Sequence, residues 1–285
     1  MNCQIAKKEL LGAEISVTTY AEVVHAVIEA AQNRKPLKFT ALDAHGLSRA
    51  AKDTRFRDMI NAFDLVSPDG HSLKWGLNRL RGANLKDRVA GPDLTIHVCR
   101  AASQRGVPVF LYGSREHVVR EFGRQLQQRV PALTVAGIQP SRFRPSTAEE
   151  DEFDMDLIRK SGARIVLVGL GCPLQEQWVA EHANRLSLPL LAVGAAFDFI
   201  SGNKPRAPKW MQDCGIEWVF RILSEPRRLV RRSIPAVTYV FFALLIERFR
   251  HRSVSLERQH VAGLKHSGPG SQEHRSTPIP KGTRM

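Results

Sequence analysis

The chain is poor in cysteine. Four residues, Cys3, Cys99, Cys172 and Cys214, are scattered through 285 positions with no CxxC pair. This supports neither a disulfide framework nor a zinc site and fits a reducing cytoplasm. Long apolar runs are lacking too. No stretch reaches the roughly 20 residues that cross a bilayer as a helix. The opening residues MNCQIAKKELLGAEIS have no long apolar core of the kind a secretory leader carries. The ten histidines form no HExxH or other ligand-spaced cluster, no GxSxG elbow occurs, and no complete GxGxxG follows the first strand.

What the chain has in excess is positive charge, unevenly spread. From residue 204 onward it carries 16 Lys/Arg against 6 Asp/Glu, which is +10 of a total of +14. Arg206, Arg221, Arg227, Arg228, Arg231 and Arg232 crowd one segment beside Trp210 and Trp218. Arginine pairs with phosphate through a planar fork of donors, and tryptophan suits a boundary between water and an apolar phase. The apolar run Ile234–Ile246 follows at once, too short to span a membrane and flanked by basic residues. It reads either as a buried core helix or as an amphipathic helix lying in an anionic membrane surface. The 43% hydrophobic fraction excludes a disordered chain.

Apolar runs of strand length alternate with helical patterns. Strands are expected at Leu37–Ala41, Asp64–Ser67, Val107–Tyr112, Leu133–Ala136, Arg164–Val168 and Pro189–Val193. Helices are expected at Tyr20–Gln32, His45–Ala62, Leu94–Gln104, Glu116–Arg129, Ala148–Lys160 and Leu174–Arg185. This order predicts a Rossmann-like α/β fold, a mainly parallel sheet with helices on both faces, spanning 1–202. A basic helical appendage is expected over 203–250 and a disordered polar tail over 251–285. Ligands of such sheets bind at the carboxyl ends of the strands, where Asp43, Asp69, Gly113 and the Gly169–Gln175 loop fall.

Each of these positions has two readings. Asp69, in Ser67-Pro68-Asp69-Gly70, is a general base at a strand end or a cap of the next helix. Gly169 and Gly171 let backbone approach a ligand, and the following helix start can face a phosphate; Gln175 and Glu176 would otherwise be solvated first-turn residues. Gly113-Ser114 is a phosphate or ribose contact or a plain turn. Asp154-Met155-Asp156 matches the DxD pattern of metal-dependent glycosyltransferases, but an acidic helix start explains it better.

Taken in order, the segments ALDAHGL, SPDG, RVAGPDL, VFLYGS, VGLGCPLQEQW, VGAAFDFISG and RAPKW…GIEWVFRILSEPRRLVRR resemble the WecG/TagA/CpsF glycosyltransferases over roughly residues 10–245. The resemblance implies transfer from a UDP-sugar to an undecaprenyl-pyrophosphate-linked sugar, with inversion, no essential metal and no cofactor. The setting it implies is the cytoplasmic face of the bacterial inner membrane, in surface polysaccharide synthesis. It implies Asp69 as the base and Arg88 and Gln175 in the donor site; Asp43, Gly113 and Gly171, placed at strand ends by the alternation itself, are expected donor-site residues beside them. Arg221, Arg228 and Arg231 would grip the acceptor pyrophosphate from an appendage that closes over the site. Where the family carries T-x-N, this chain has Ala41-Leu42-Asp43, so a hydroxyl is lost and an amide becomes an acid. Asp43 is thereby a candidate second carboxylate.

Two other classes compete. The pI of about 10.2 suits a nucleic-acid-binding protein, but no recognition-helix motif or RNP-type aromatic sheet is present. An NAD-dependent sugar-nucleotide enzyme lacks its glycine fingerprint. No nucleic-acid partner is expected, and an apolar surface left by a mobile appendage would support a homo-oligomer.

Overall fold

The computed structural model describes residues 5–224 and 234–248. It divides into two units, Met1–Leu244 and Leu245–Met285, and the description below concerns the first. Six parallel strands form one sheet: β3 (Leu37–Leu42), β4 (Leu65–Pro68), β5 (Val109–Gly113), β6 (Val135–Gln139), β7 (Ile165–Gly169) and β8 (Pro189–Ala192), in the order β4-β3-β8-β7-β5-β6. A sheet covered on both faces needs apolar residues at odd and even positions alike. Val109, Leu111, Ile165, Leu167 and Leu191 enter one core; Phe110, Tyr112, Val166, Val168 and Leu190 enter the other.

The first core is closed by α1 (Tyr20–Gln32), α5 (Gly91–Gln104), α6 (Glu116–Arg129) and the short α9 (Ala196–Ile200). The second is closed by α2 (Ala44–Lys52), α3 (Thr54–Asn61), α4 (His71–Arg81), α7 (Ala148–Lys160) and α8 (Leu174–Leu186). It also receives Leu10, Ala13 and Ile15 from a hairpin of β1 (Lys7–Leu10) and β2 (Ala13–Ser16).

Three local features depart from the expected elements. The hairpin is absent from the sequence reading because its turn, Leu11-Gly12, adopts positive φ at both residues (51° and 84°) without an Asn-Gly or Asp-Gly signal. The helix expected over His45–Ala62 is two helices. Asp53 has extended backbone (φ −120°, ψ 104°) and its carboxylate caps the second by accepting from Phe56 N–H. The helix expected after Asp69, given no bounds from the sequence, is α4; it runs from the N-cap Gly70 to Gly82, whose left-handed backbone ends it.

Beyond Gly202 the described residues contain helices and loops only: α10 (Lys209–Asp213), α11 (Glu217–Ser224) and α12 over 234–248, of which 234–244 lies in the first unit. Ala236, Val240 and Leu244, four residues apart, form a buried stripe, and the last two join the second core. The opposite side leaves Ile234, Phe241 and Phe242 exposed. The apolar run is therefore a helix with one face in the core and another in solvent. The tail expected over 251–285 lies outside the described residues. Among those described, no helix is long and apolar enough to cross a membrane.

Candidate active site

The chain leaves β3 toward α2 in the second core, and leaves the neighbouring β8 toward α9 in the first. Divergence of adjacent strand ends to opposite faces opens a crevice, which is where such sheets bind ligands. Asp43 and Asp69 are the first residues past β3 and β4, whose register ends at Leu42 opposite Pro68; Asp69 N–H donates to Leu42 O at 3.0 Å. Asp43 Oδ1 accepts from Gly46 N–H at 2.9 Å and so caps α2. Asp69 does not occupy the equivalent place on α4. The N-cap there is Gly70, and Asp69 stands one residue before it.

Arg88 lies beside Asp69. Its Nη1 donates to the Asp69 carbonyl at 3.1 Å and stands 3.9 Å from the Asp69 carboxylate. Its Nη2 donates to Glu217 Oε2 on α11 at 2.6 Å. Burial works to lower the Arg88 pKa, but the Asp69 and Glu217 charges outweigh it and hold the guanidinium more firmly protonated than usual. His71 is bonded to Gln212 O of α10 at 2.8 Å. Burial, and then the charge of Arg88, lowers its pKa and favours the neutral ring. Arg206 forms a two-pronged pair with Asp93 at 2.8 and 2.6 Å. Burial of Asp93 is overcome by that pair, and its carboxyl stays below its ordinary value. Tyr20 OH accepts from Ala90 N–H at 2.9 Å. Burial pushes its hydroxyl up to about 12, so it stays neutral.

On the β7 side, Gly113 and Gly169 meet back to back: a Cβ on Gly113 would stand 2.9 Å from Gly169 main-chain atoms. Ser114 N–H donates to Gly169 O at 2.9 Å. Gly171, at φ +78°, has open space where its side chain would project. Gln175 and Glu176 are buried rather than solvated. Glu176 Oε1 accepts from Gln175 Nε2 at 2.8 Å and from Thr40 Oγ1 at 3.1 Å. Gln175 Oε1 and Glu176 Oε2 are buried without a hydrogen-bond partner among the described residues. Burial raises the Glu176 pKa, and the neighbouring bonds do not offset it. Thr40 thus turns its hydroxyl to Glu176, one residue before the position where the family carries threonine.

The structure brings Asp43, Asp69, Arg88, Gly113, Gly171 and Gln175 to the strand ends, loops and first helical turn at one end of the sheet. Arg221 falls on α11 and is described as backbone only, and Arg228 and Arg231 lie outside the described residues. Asp154 of the DxD match lies on the buried face of α7 and is committed elsewhere. It accepts from Arg142 Nη2 at 2.8 Å, Tyr112 OH at 3.0 Å and Gln139 at 3.0 Å, while Asp156 pairs with Arg159. Sequence reasoning missed Glu217, Asp93, Tyr20 and the burial of Glu176. The segments GIEW and RVAGPDL contained the first two, but their partners are more than a hundred residues away.

An open parallel sheet that gathers an acid, an arginine and glycine-opened loops at its carboxyl ends has the make-up of an enzyme acting on a phosphorylated donor. The family model of the WecG/TagA/CpsF glycosyltransferases matches residues 8–254, and the chain belongs to that family. It is a glycosyltransferase of cell-surface polysaccharide synthesis, a family that uses nucleotide-sugar donors and lipid-linked acceptors. Family membership decides against the nucleic-acid-binding and NAD-dependent alternatives.

Proposed function

We propose that the protein transfers a sugar from a UDP-sugar to an undecaprenyl-pyrophosphate-linked saccharide, with inversion and without an essential metal, at the cytoplasmic face of the bacterial inner membrane. The observation that carries this reading is the Asp69 carboxylate, a quarter exposed at the end of β4 and 3.9 Å from Arg88. Asp69 takes the proton of the acceptor hydroxyl while that oxygen bonds to the anomeric carbon. The bond from that carbon to the UDP oxygen breaks, and the diphosphate leaves with its electron pair. Arg88 and the loop amides around Gly171 stabilise the charge on the departing diphosphate, and Gln175 and Gly113 line the same donor site. Asp43, one strand over, is held to α2 by its cap and helps shape the donor pocket. Metal independence is supported by the commitment of Asp154 to Arg142, Tyr112 and Gln139, together with the arginine excess.

The segment 203–250 acts as the membrane and acceptor appendage, with Arg221, Arg228 and Arg231 on the acceptor pyrophosphate. Exposed Trp210, Phe241 and Phe242 offer it an apolar footing. The deciding experiment is a transfer assay with a panel of UDP-sugars and a short-chain lipid-pyrophosphate sugar, run before and after exhaustive chelation. Transfer from a UDP-sugar that survives chelation and gives the inverted anomer is the expected result. Transfer that needs added divalent ion, or none from any UDP-sugar, refutes it.

A further inference from the structure

We propose that α2 and the start of α12 form a phosphate-binding groove. His45, Arg49 and Lys52 are spaced four and three residues apart and so share one face of α2. They border a cavity of about 380 Å³ together with Ser48, Asp53, Pro235 and Ala236. That volume is at the small end of the roughly 300–1,000 Å³ range of small-molecule sites. Arg49 and Lys52 against Asp53 leave the lining positive without any proton on His45.

Both permanent cations are held in position, Arg49 partly offset by the Asp53 carboxylate. The Arg49 guanidinium packs 5.5 Å from the centre of the Phe56 ring and 3.8 Å from Asp53, and its Nε is buried with no hydrogen-bond partner among the described residues. Asp53 is itself engaged as the cap of α3. Lys52 Nζ sits 4.0 Å above the Tyr239 ring, which keeps the ammonium at the rim. A forked and a point-charge donor around a small open cavity suit a phosphate ester anion.

The location suggests which phosphate. Asp43 caps α2, and the Ala44 amide nitrogen is 3.7 Å from the place a Gly70 Cβ would take, so the groove begins at the edge of the Asp69 turn. It runs roughly 10 Å along α2 from His45 to Lys52 and ends against α12, whose outer side carries Phe241 and Phe242. An acceptor with its sugar hydroxyl at Asp69 and its lipid leaving toward those phenylalanines lays its diphosphate along α2, where Arg49 and Lys52 meet it in addition to the appendage arginines. The identity of the ligand rests on the proposed function; the presence of an anion site does not. An anionic lipid headgroup shares this chemistry, and the test separates the two.

The experiment titrates the full chain with inorganic pyrophosphate and follows the His45 ring resonances, assigned with His45→Gln. Binding should shift them, and R49Q/K52Q should weaken that binding about ten-fold or more, as expected for lost charge-assisted bonds. Because Arg49 packs on Phe56, K52Q alone, which spares that packing, serves as the second variant and should weaken binding in the same direction. A soluble lipid-diphosphate sugar and phosphatidylglycerol vesicles then distinguish the source. A raised acceptor KM with unchanged sedimentation assigns the acceptor diphosphate, and the reverse assigns a lipid headgroup. Pyrophosphate binding retained in a protein that transfers no sugar would fail the proposed function and leave the groove standing. Pyrophosphate that leaves His45 unmoved, or equal affinity in folded K52Q, overturns the proposal.

Discussion

Arg88 Nη2 and Glu217 Oε2 stand 2.6 Å apart and join positions 129 residues distant in the chain, with both side chains largely shielded from solvent. The other amino group of the same guanidinium holds the Asp69 carbonyl. One arginine therefore couples the first turn of α11 to the candidate base. Removing one member of a shielded pair leaves the other charge uncompensated. Glu217→Gln should lower the melting temperature and speed amide hydrogen exchange in α10 and α11. The double variant R88Q/E217Q should be less destabilised than the sum of the single variants, with a coupling of about 1 kcal/mol or more. Strict additivity would show the contact to be incidental.

Asp69→Asn preserves shape and removes basicity. Turnover should fall roughly 10²–10⁴-fold, with donor affinity measured by equilibrium binding nearly unchanged. Near-normal turnover would move the base role to Asp43.

Glu176 carries a pKa raised by burial. Its folded form therefore binds a proton that the unfolded chain releases, and stability falls as pH rises from the unfolded carboxyl value, about 4.3, toward the folded one. Glu176→Gln keeps the bonds to Thr40 and Gln175 within reach and removes this titration. Urea denaturation across pH should give a flatter profile for the variant and relative stabilisation at the higher pH values. A parallel pair of profiles would mean that Glu176 ionises normally.

Gly113 has φ +104° and no room for a side chain against Gly169. Gly113→Ala forces a clash with main chain, where no flexible group can give way. The unfolding midpoint should drop by an amount equivalent to about 1–3 kcal/mol, and donor affinity should weaken as the two loop starts separate. An unchanged midpoint would show that the strand ends can part freely.

Truncation near Gly202 is a poor test of membrane attachment, since Val240 and Leu244 belong to the second core. F241S/F242S changes only exposed positions. Sedimentation with anionic vesicles should fall while the melting temperature stays within the range of ordinary surface substitutions. Vesicle binding equal to that of the parent would remove these rings from the proposed membrane footing.

Most of the sheet was legible because a strand buried on both faces reads as a short continuous apolar run, as in Ile165–Gly169 and Pro189–Ala192. The edge strand β6 is only half-buried, and its expected position was displaced by two to three residues. Leu11 in a left-handed turn hid the hairpin, and Asp53, polar within an otherwise helical pattern, hid a helix boundary. Asp69 could be singled out because a strand-end acid has a short-range signal, whereas Arg88 entered only through the RVAG segment of the family resemblance. The roles of Glu217, Asp93 and Thr40 could not, because each depends on a partner brought near by folding alone.

The four-residue spacing of Ala236, Val240 and Leu244 also sets an angular phase. Each residue turns an α-helix by about 100°, so the buried stripe fixes the direction in which Phe241 and Phe242 face. Inserting one residue between Ala236 and Val240 would turn everything downstream by that angle, forcing either the core contacts or the outward rings out of place. The aromatic pair is aimed by the core beneath it, much as a key's teeth are aimed by its shaft.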